Sequence, residues 1–105
     1  MGLTVPETLM EGETNVVLGC SSTGIPIPTI QWEKDGEVFT PGGSRRVNSS
    51  QPGQSQLEIG ILLISDAGVY TCVSTNTAGQ AMQSGRMTVE GEGTCLKWMT
   101  CMCVA

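Results

Sequence analysis

There is no histidine anywhere in this chain. That removes the commonest general base and the commonest metal ligand, and with them most hydrolytic and metal-dependent constellations. Basic residues are scarce too: five Lys and Arg stand against ten Asp and Glu, giving a formal net charge of −5. Without clustered positive charge the chain is unsuited to nucleic acid or to an anionic membrane surface. Aromatics make up only 4% of residues, so a core must rest on aliphatics, Met and whatever cross-links the cysteines form. No run approaches the roughly 20 apolar residues of a membrane-spanning helix, so direct membrane insertion is not expected. The N-terminus lacks the charged and apolar regions of a signal peptide. Met1 reads as an expression start ahead of an excised domain. No phosphate-cradling loop, pocketed carboxylate pair or nucleophile beside a base is present. The expectation is a non-enzyme with no cofactor and no metal.

What is present is a pattern of period two. At 105 residues, 39% hydrophobic and 14% charged, the chain fits one globular domain with one core. Leu3, Val5, Leu9 and Met10 flank Pro6 as two short pieces of edge strand, because proline supplies no ladder donor and is tolerated at edges. Val16, Leu18 and Cys20 share one face of a strand. The two prolines of Gly24-Ile25-Pro26-Ile27-Pro28 forbid a helix and predict an extended crossing loop. Ile30, Trp32 and Lys34 alternate, and Asp35-Gly36 then signals a hairpin into Glu37-Val38-Phe39. A short polar strand from Arg45 to Ser50 follows a Pro-Gly-Gly loop. Leu57 and Ile59 resume the alternation and Leu62 closes it; Tyr70, Cys72 and Ser74 face inward on the next strand, and Met87 and Val89 on the last. No stretch carries a helical period, so short strands separated by turns predict an all-β sandwich.

The order Cys20…Trp32…Cys72, with the string Leu57, Ile59, Leu62, Asp66, Gly68, Tyr70, Cys72, resembles the immunoglobulin superfamily. Within it, Gly-Ile-Pro-Ile-Pro before Trp32, Lys34-Asp35-Gly36 after it, and Cys-Val-Ser-Thr-Asn-Thr-Ala-Gly from Cys72 are similar to the intermediate, or I-set, type. The resemblance covers Leu3 to Glu90 and implies an immunoglobulin-like two-sheet Greek-key β-sandwich over residues 1–90. It implies a disulfide between Cys20 and Cys72 across the core, with Trp32 packed beside it and Leu57, Ile59 and Leu62 among the core residues. Tyr70 looks like the tyrosine corner, its hydroxyl bonding to backbone upstream. Asp66 is implied to meet an arginine from the preceding polar strand, and Arg45 and Arg46 both qualify. Where the family more often has polar residues, Ile61, Leu63 and Ile64 are apolar. They are either a locally hydrophobic edge or a contact patch.

Two features stand apart from that frame. Asn48-Ser49-Ser50 is an N-glycosylation sequon. Residues 91–105 form a Cys-rich tail, with Cys95, Cys101 and Cys103, that reads as flexible or as introduced with expression. These thiols lack the paired spacing of structural zinc, and Cys103 stands too near the end for prenylation. An odd thiol left over from pairing points to an inter-chain disulfide as the other reading. Members of the superfamily serve in cell-adhesion receptors, matrix proteins and giant muscle proteins. The resemblance therefore implies a protein-recognition module of a multidomain cell-surface or extracellular-matrix protein, or alternatively a structural spacer in a cytoplasmic or sarcomeric one. Its partner is expected to be another protein, a second copy included, with a disulfide-linked or weak dimer as one form.

Overall fold

Alternating apolar and polar residues lay down the longer core strands in the computed structural model, which describes residues 2–49 and 51–91. In chain order the strands are β1 (Gly2–Thr4), β2 (Thr8–Met10), β3 (Thr14–Ser21), β4 (Thr29–Lys34), β5 (Glu37–Val38), β6 (Arg45–Asn48), β7 (Gln54–Ile61), β8 (Gly68–Asn76) and β9 (Gly79–Glu90). The only helical piece among the described residues is a 3-10 turn, Ile64–Asp66. Two sheets result: one ordered β1-β3-β7-β6 and the other β2-β9-β8-β4-β5. All neighbours are antiparallel except β2 and β9, which run parallel.

The first strand pieces go further than their sequence suggests. They are not two parts of one edge: Leu3 lies opposite Cys20 in the first sheet, while Leu9 lies opposite Val89 in the second. The chain changes sheets between them, around Pro6, where no backbone N–H is lost to either ladder. At the turn after β4, Asp35 and Gly36 both take positive φ, 53° and 85°. That is the primed geometry whose twist matches a tight hairpin, and it joins β4 to β5.

The core lies between the sheets. Val16, Leu18, Leu57 and Ile59 come from the first sheet, Trp32, Tyr70, Cys72 and Met87 from the second, and Leu62 from the connection after β7. Burying each large aliphatic side chain stabilises by about 1.5–3 kcal/mol. Cys20 and Cys72 are joined across the sandwich as a disulfide, with Cα atoms 6.4 Å apart. Trp32 sits opposite Cys72 in the β4–β8 register, and Cys20 opposite Ser55 in the β3–β7 register. The indole and the staple therefore share one layer. Two positions depart from simple alternation. Val89 is only half-buried, at the rim of the core. Val73 lies on the outer face between Cys72 and Ser74, yet its exposure is only 6%.

Candidate functional site

Strands β6 and β8 and the 3-10 turn bring three chemically distinct side chains, Arg45, Tyr70 and Asp66, to one corner. Asp66, at the end of the turn, is 3% exposed. Its carboxylate accepts hydrogen bonds from Arg45 Nε, from Arg45 Nη2 at 2.6 Å and from the Leu63 N–H at 2.7 Å. This bidentate fork is the geometry in which a guanidinium meets a carboxylate best. The hydrogen bond to Asp66, opposed by desolvation, raises the Arg45 pKa above its ordinary value. Tyr70 donates its hydroxyl to the Asp66 carbonyl oxygen at 2.5 Å. Burial pushes the Tyr70 hydroxyl well above the usual phenol range, and the neighbouring Asp66 charge pushes it the same way.

Of the two arginines that qualified, Arg45 meets Asp66. The reason is alternation: Arg45 lies opposite Ile59, a core position, while Arg46 lies opposite Glu58 on the outer face. Arg46 accordingly pairs with Glu58 at 2.6 Å with its side chain 79% exposed. Asn48 ends β6, exposed to solvent. Ser50 of its sequon and the tail cysteines Cys95, Cys101 and Cys103 lie outside the described residues.

Two polar arrangements escaped the sequence reading. Trp32 donates its indole N–H to Ser55 Oγ at 2.8 Å, and Ser55 shares a second hydrogen bond with Ser49 at 2.8 Å. The signal was there: Ser55 shares the inward phase of Leu57 and Ile59, and a buried indole needs an acceptor. Asp35 bonds the Val69 N–H at 2.9 Å and Lys34 at 3.3 Å. Those contacts, the backbone one foremost, lower its pKa.

The apolar residues flagged in sequence gather at one end. Ile61, Leu63 and Ile64 are 44–55% exposed, and Met10 is equally open at 44%. The turn after Met10 lies against them, since the Gly12 N–H bonds to the Leu62 carbonyl and the Leu62 N–H to that of Glu13. At the opposite end Ile25 and Ile27 project from the proline-rich loop. Among the described residues no three His, Cys, Asp or Glu side chains are placed to hold a metal ion, and no helix is long and apolar enough to cross a membrane. The chemistry this surface offers is contact: apolar ends on a stapled frame.

The family model described as the immunoglobulin I-set domain matches residues 4–89. Human Hemicentin-1 is 50% identical over 66 residues, covering 63% of this chain and 1% of that protein. The human cell adhesion molecule DSCAM is 35% identical over 80 residues, covering 72% of this chain and 4% of that protein. The chain thus spans only a few per cent of these relatives' length. Among solved structures, the titin M3 domain superposes with a TM-score of 0.72 at 32% identity, covering 81% of this chain and 88% of that one.

Proposed function

The chain belongs to the immunoglobulin I-set domain family, and from that premise we propose that it is a non-catalytic recognition module of a multidomain cell-surface or extracellular-matrix protein. Its domain runs over residues 1–90, with residues 91–105 a separate tail. The observation that carries the reading is the apolar end formed by Met10, Ile61, Leu63 and Ile64, left open on a molecule whose core is already closed. Apolar side chains grouped on a rigid surface, rimmed here by Glu11, Glu13 and Glu90, suit a protein partner better than a small ligand. The Cys20–Cys72 bond and the exposed Asn48 support an oxidising compartment, where such bonds persist and sequons are modified. A role in adhesion is supported by the likeness to a cell adhesion molecule.

A second reading is carried by the likeness to titin M3: the same frame serving as a structural spacer in a reducing cytosol, with Cys20 and Cys72 as thiols. Mass spectrometry of the native protein, alkylated without prior reduction, separates the two. The recognition reading expects Cys20 and Cys72 unalkylated and Asn48 carrying glycan; alkylation of both cysteines would move the protein to the spacer class. Within the first reading, the double substitution Ile61→Glu with Leu63→Glu in the parent protein should abolish cell adhesion while leaving the melting temperature within a few degrees. Unaltered adhesion would remove the apolar end from the interface.

A further inference from the structure

The second sheet is not closed on the β9 side. Strand β9 runs from Gly79 to Glu90, but its outer neighbour β2 pairs only with Thr88, Val89 and Glu90. The phase of the open part follows from the paired part. The Thr88 N–H bonds outward to the Glu7 carbonyl, and the Glu90 carbonyl accepts outward from the Glu11 N–H. Backbone groups alternate sides along a strand, so Gln80, Met82 and Ser84 also direct N–H and C=O away from β8. Among the described residues no backbone hydrogen bond meets them there. A row of unpaired donors and acceptors is a template for another strand, and proteins ordinarily blunt it with charge, proline or cover. From Gly79 to Ser84 none of these is present: the stretch holds neither a charged residue nor a proline and all six residues are exposed, whereas Val5 packs against Gly85 and the next residue, Arg86, carries charge.

We propose that this edge pairs with the same edge of a second copy, β9 to β9 antiparallel about a two-fold axis through Met82. Three observations favour a second copy over another chain. A two-fold axis at Met82 sets Gln80 opposite Ser84 and Ala81 opposite Gln83, uncharged pairs that each occur twice. The stretch is neutral, so a molecule of net charge −5 can meet itself there without like charges face to face. Finally, Met82 is 61% exposed and lies opposite Val73, the outward-facing valine that is already covered. Self-pairing about Met82 sets Val73, Met82 and their symmetry mates in one apolar row across the four central strands of a continuous sheet. The contact is short and belongs with weak, transient interfaces. The inference rests on the recognition reading and names one partner for it, on a surface separate from the Ile61–Ile64 end.

The test is sedimentation equilibrium of the full chain at millimolar concentration, with free thiols alkylated so that no inter-chain disulfide contributes. The expected result is a concentration-dependent rise from 11.0 kDa toward twice that mass. Ser84→Pro removes an outward N–H together with the exposed hydroxyl bond to Thr71 at 2.8 Å, so it should leave melting within a few degrees and abolish the rise, while Ser84→Ala, which loses the hydroxyl alone, should keep it. Met82→Lys and Met82→Glu should each sediment as monomers, and their equimolar mixture should regain the heavier species, because the axis places position 82 opposite itself. A strict monomer in the parent chain, or a dimer indifferent to Ser84→Pro, overturns the proposal. If adhesion still depends on Ile61 and Leu63 in that case, the recognition reading survives without it.

Discussion

Two arginines that are neighbours in sequence should differ several-fold in worth. Arg45→Ala strips a buried carboxylate, Asp66, of its only cationic partner among the described residues, a change that costs about 3–5 kcal/mol when one member of a buried pair is removed. Arg46→Ala removes an exposed partner of Glu58 and costs about 0–1 kcal/mol. Urea titration of both variants checks this, and equal losses would show that Asp66 is not held as described. Tyr70 gives a second expectation at this scale. Its pKa is raised in the folded state, so folding favours the neutral phenol. The linked stability is fully present below the unfolded value of about 10 and is lost as pH rises above it. Tyr70 is the only tyrosine in the chain, so tyrosinate absorbance reports on it alone. It should stay silent through pH 10 and appear together with unfolding, and Tyr70→Phe should flatten the alkaline fall in melting temperature. Ionisation at pH 10 in a still-folded protein would contradict the burial. At this scale the sequence was legible where a residue's phase decides its fate. The family string raised Asp66 and Tyr70 together. The choice between Arg45 and Arg46 needed the β6–β7 register, because a one-residue shift reverses faces and no short polar strand announces its own phase.

Strands carry a different kind of information from the turns that join them. The alternation in β3, β7 and β8 was strong enough to place the core faces directly, since each buries three or more residues at period two. The three-residue β1 and β2 are too short for any period, and their assignment to opposite sheets is set by pairing partners more than 70 residues away in the case of β2, a connection that local pattern does not encode. The long open edge of β9 was equally hidden, because it depends on where the parallel strand β2 begins. Turns allow a sharper test. Gly53 takes φ +72°, and a Cβ there would lie 2.5 Å from the Ser22 carbonyl oxygen, which is backbone and cannot swing aside. Gly36 takes a similar φ of +85° with nothing within 4 Å. Gly36→Ala should therefore cost only the left-handed penalty of about 1–2 kcal/mol. Gly53→Ala should cost clearly more and weaken the Ser22 N–H bond to the Gly53 carbonyl, which ties the start of the proline-rich loop to the β6–β7 turn. Denaturant midpoints for the pair decide it: equal losses would mean that the loop yields freely at Ser22.

At the scale of the molecule, the staple decides how much the fold can stand without help. Cys20 and Cys72 close a loop with a sequence separation of 52, and in the chain-entropy model such a cross-link stabilises by roughly 4 kcal/mol. Small domains are stable by only about 5–15 kcal/mol in all, so the bond is a large fraction of the margin. With a melting-temperature shift of about 4–8 °C per kcal/mol for chains near this size, full reduction should lower the melting temperature by about 15–30 °C. Calorimetry with and without reductant, on protein whose Cys20–Cys72 thiols are shown to be free afterwards, measures it directly. The result also bears on where the domain works. Trp32 packs beside the sulfurs and is anchored to Ser55 rather than to the bond itself. Two thiols in that pocket would still be buried apolar groups, so what reduction removes is the constraint on the unfolded chain. A drop in the expected range describes a module that relies on an oxidising compartment for its stability, in keeping with the recognition reading. A drop of only a few degrees describes a frame held by Leu18, Leu57, Ile59, Leu62 and Met87 alone, able to serve as a spacer in a reducing one.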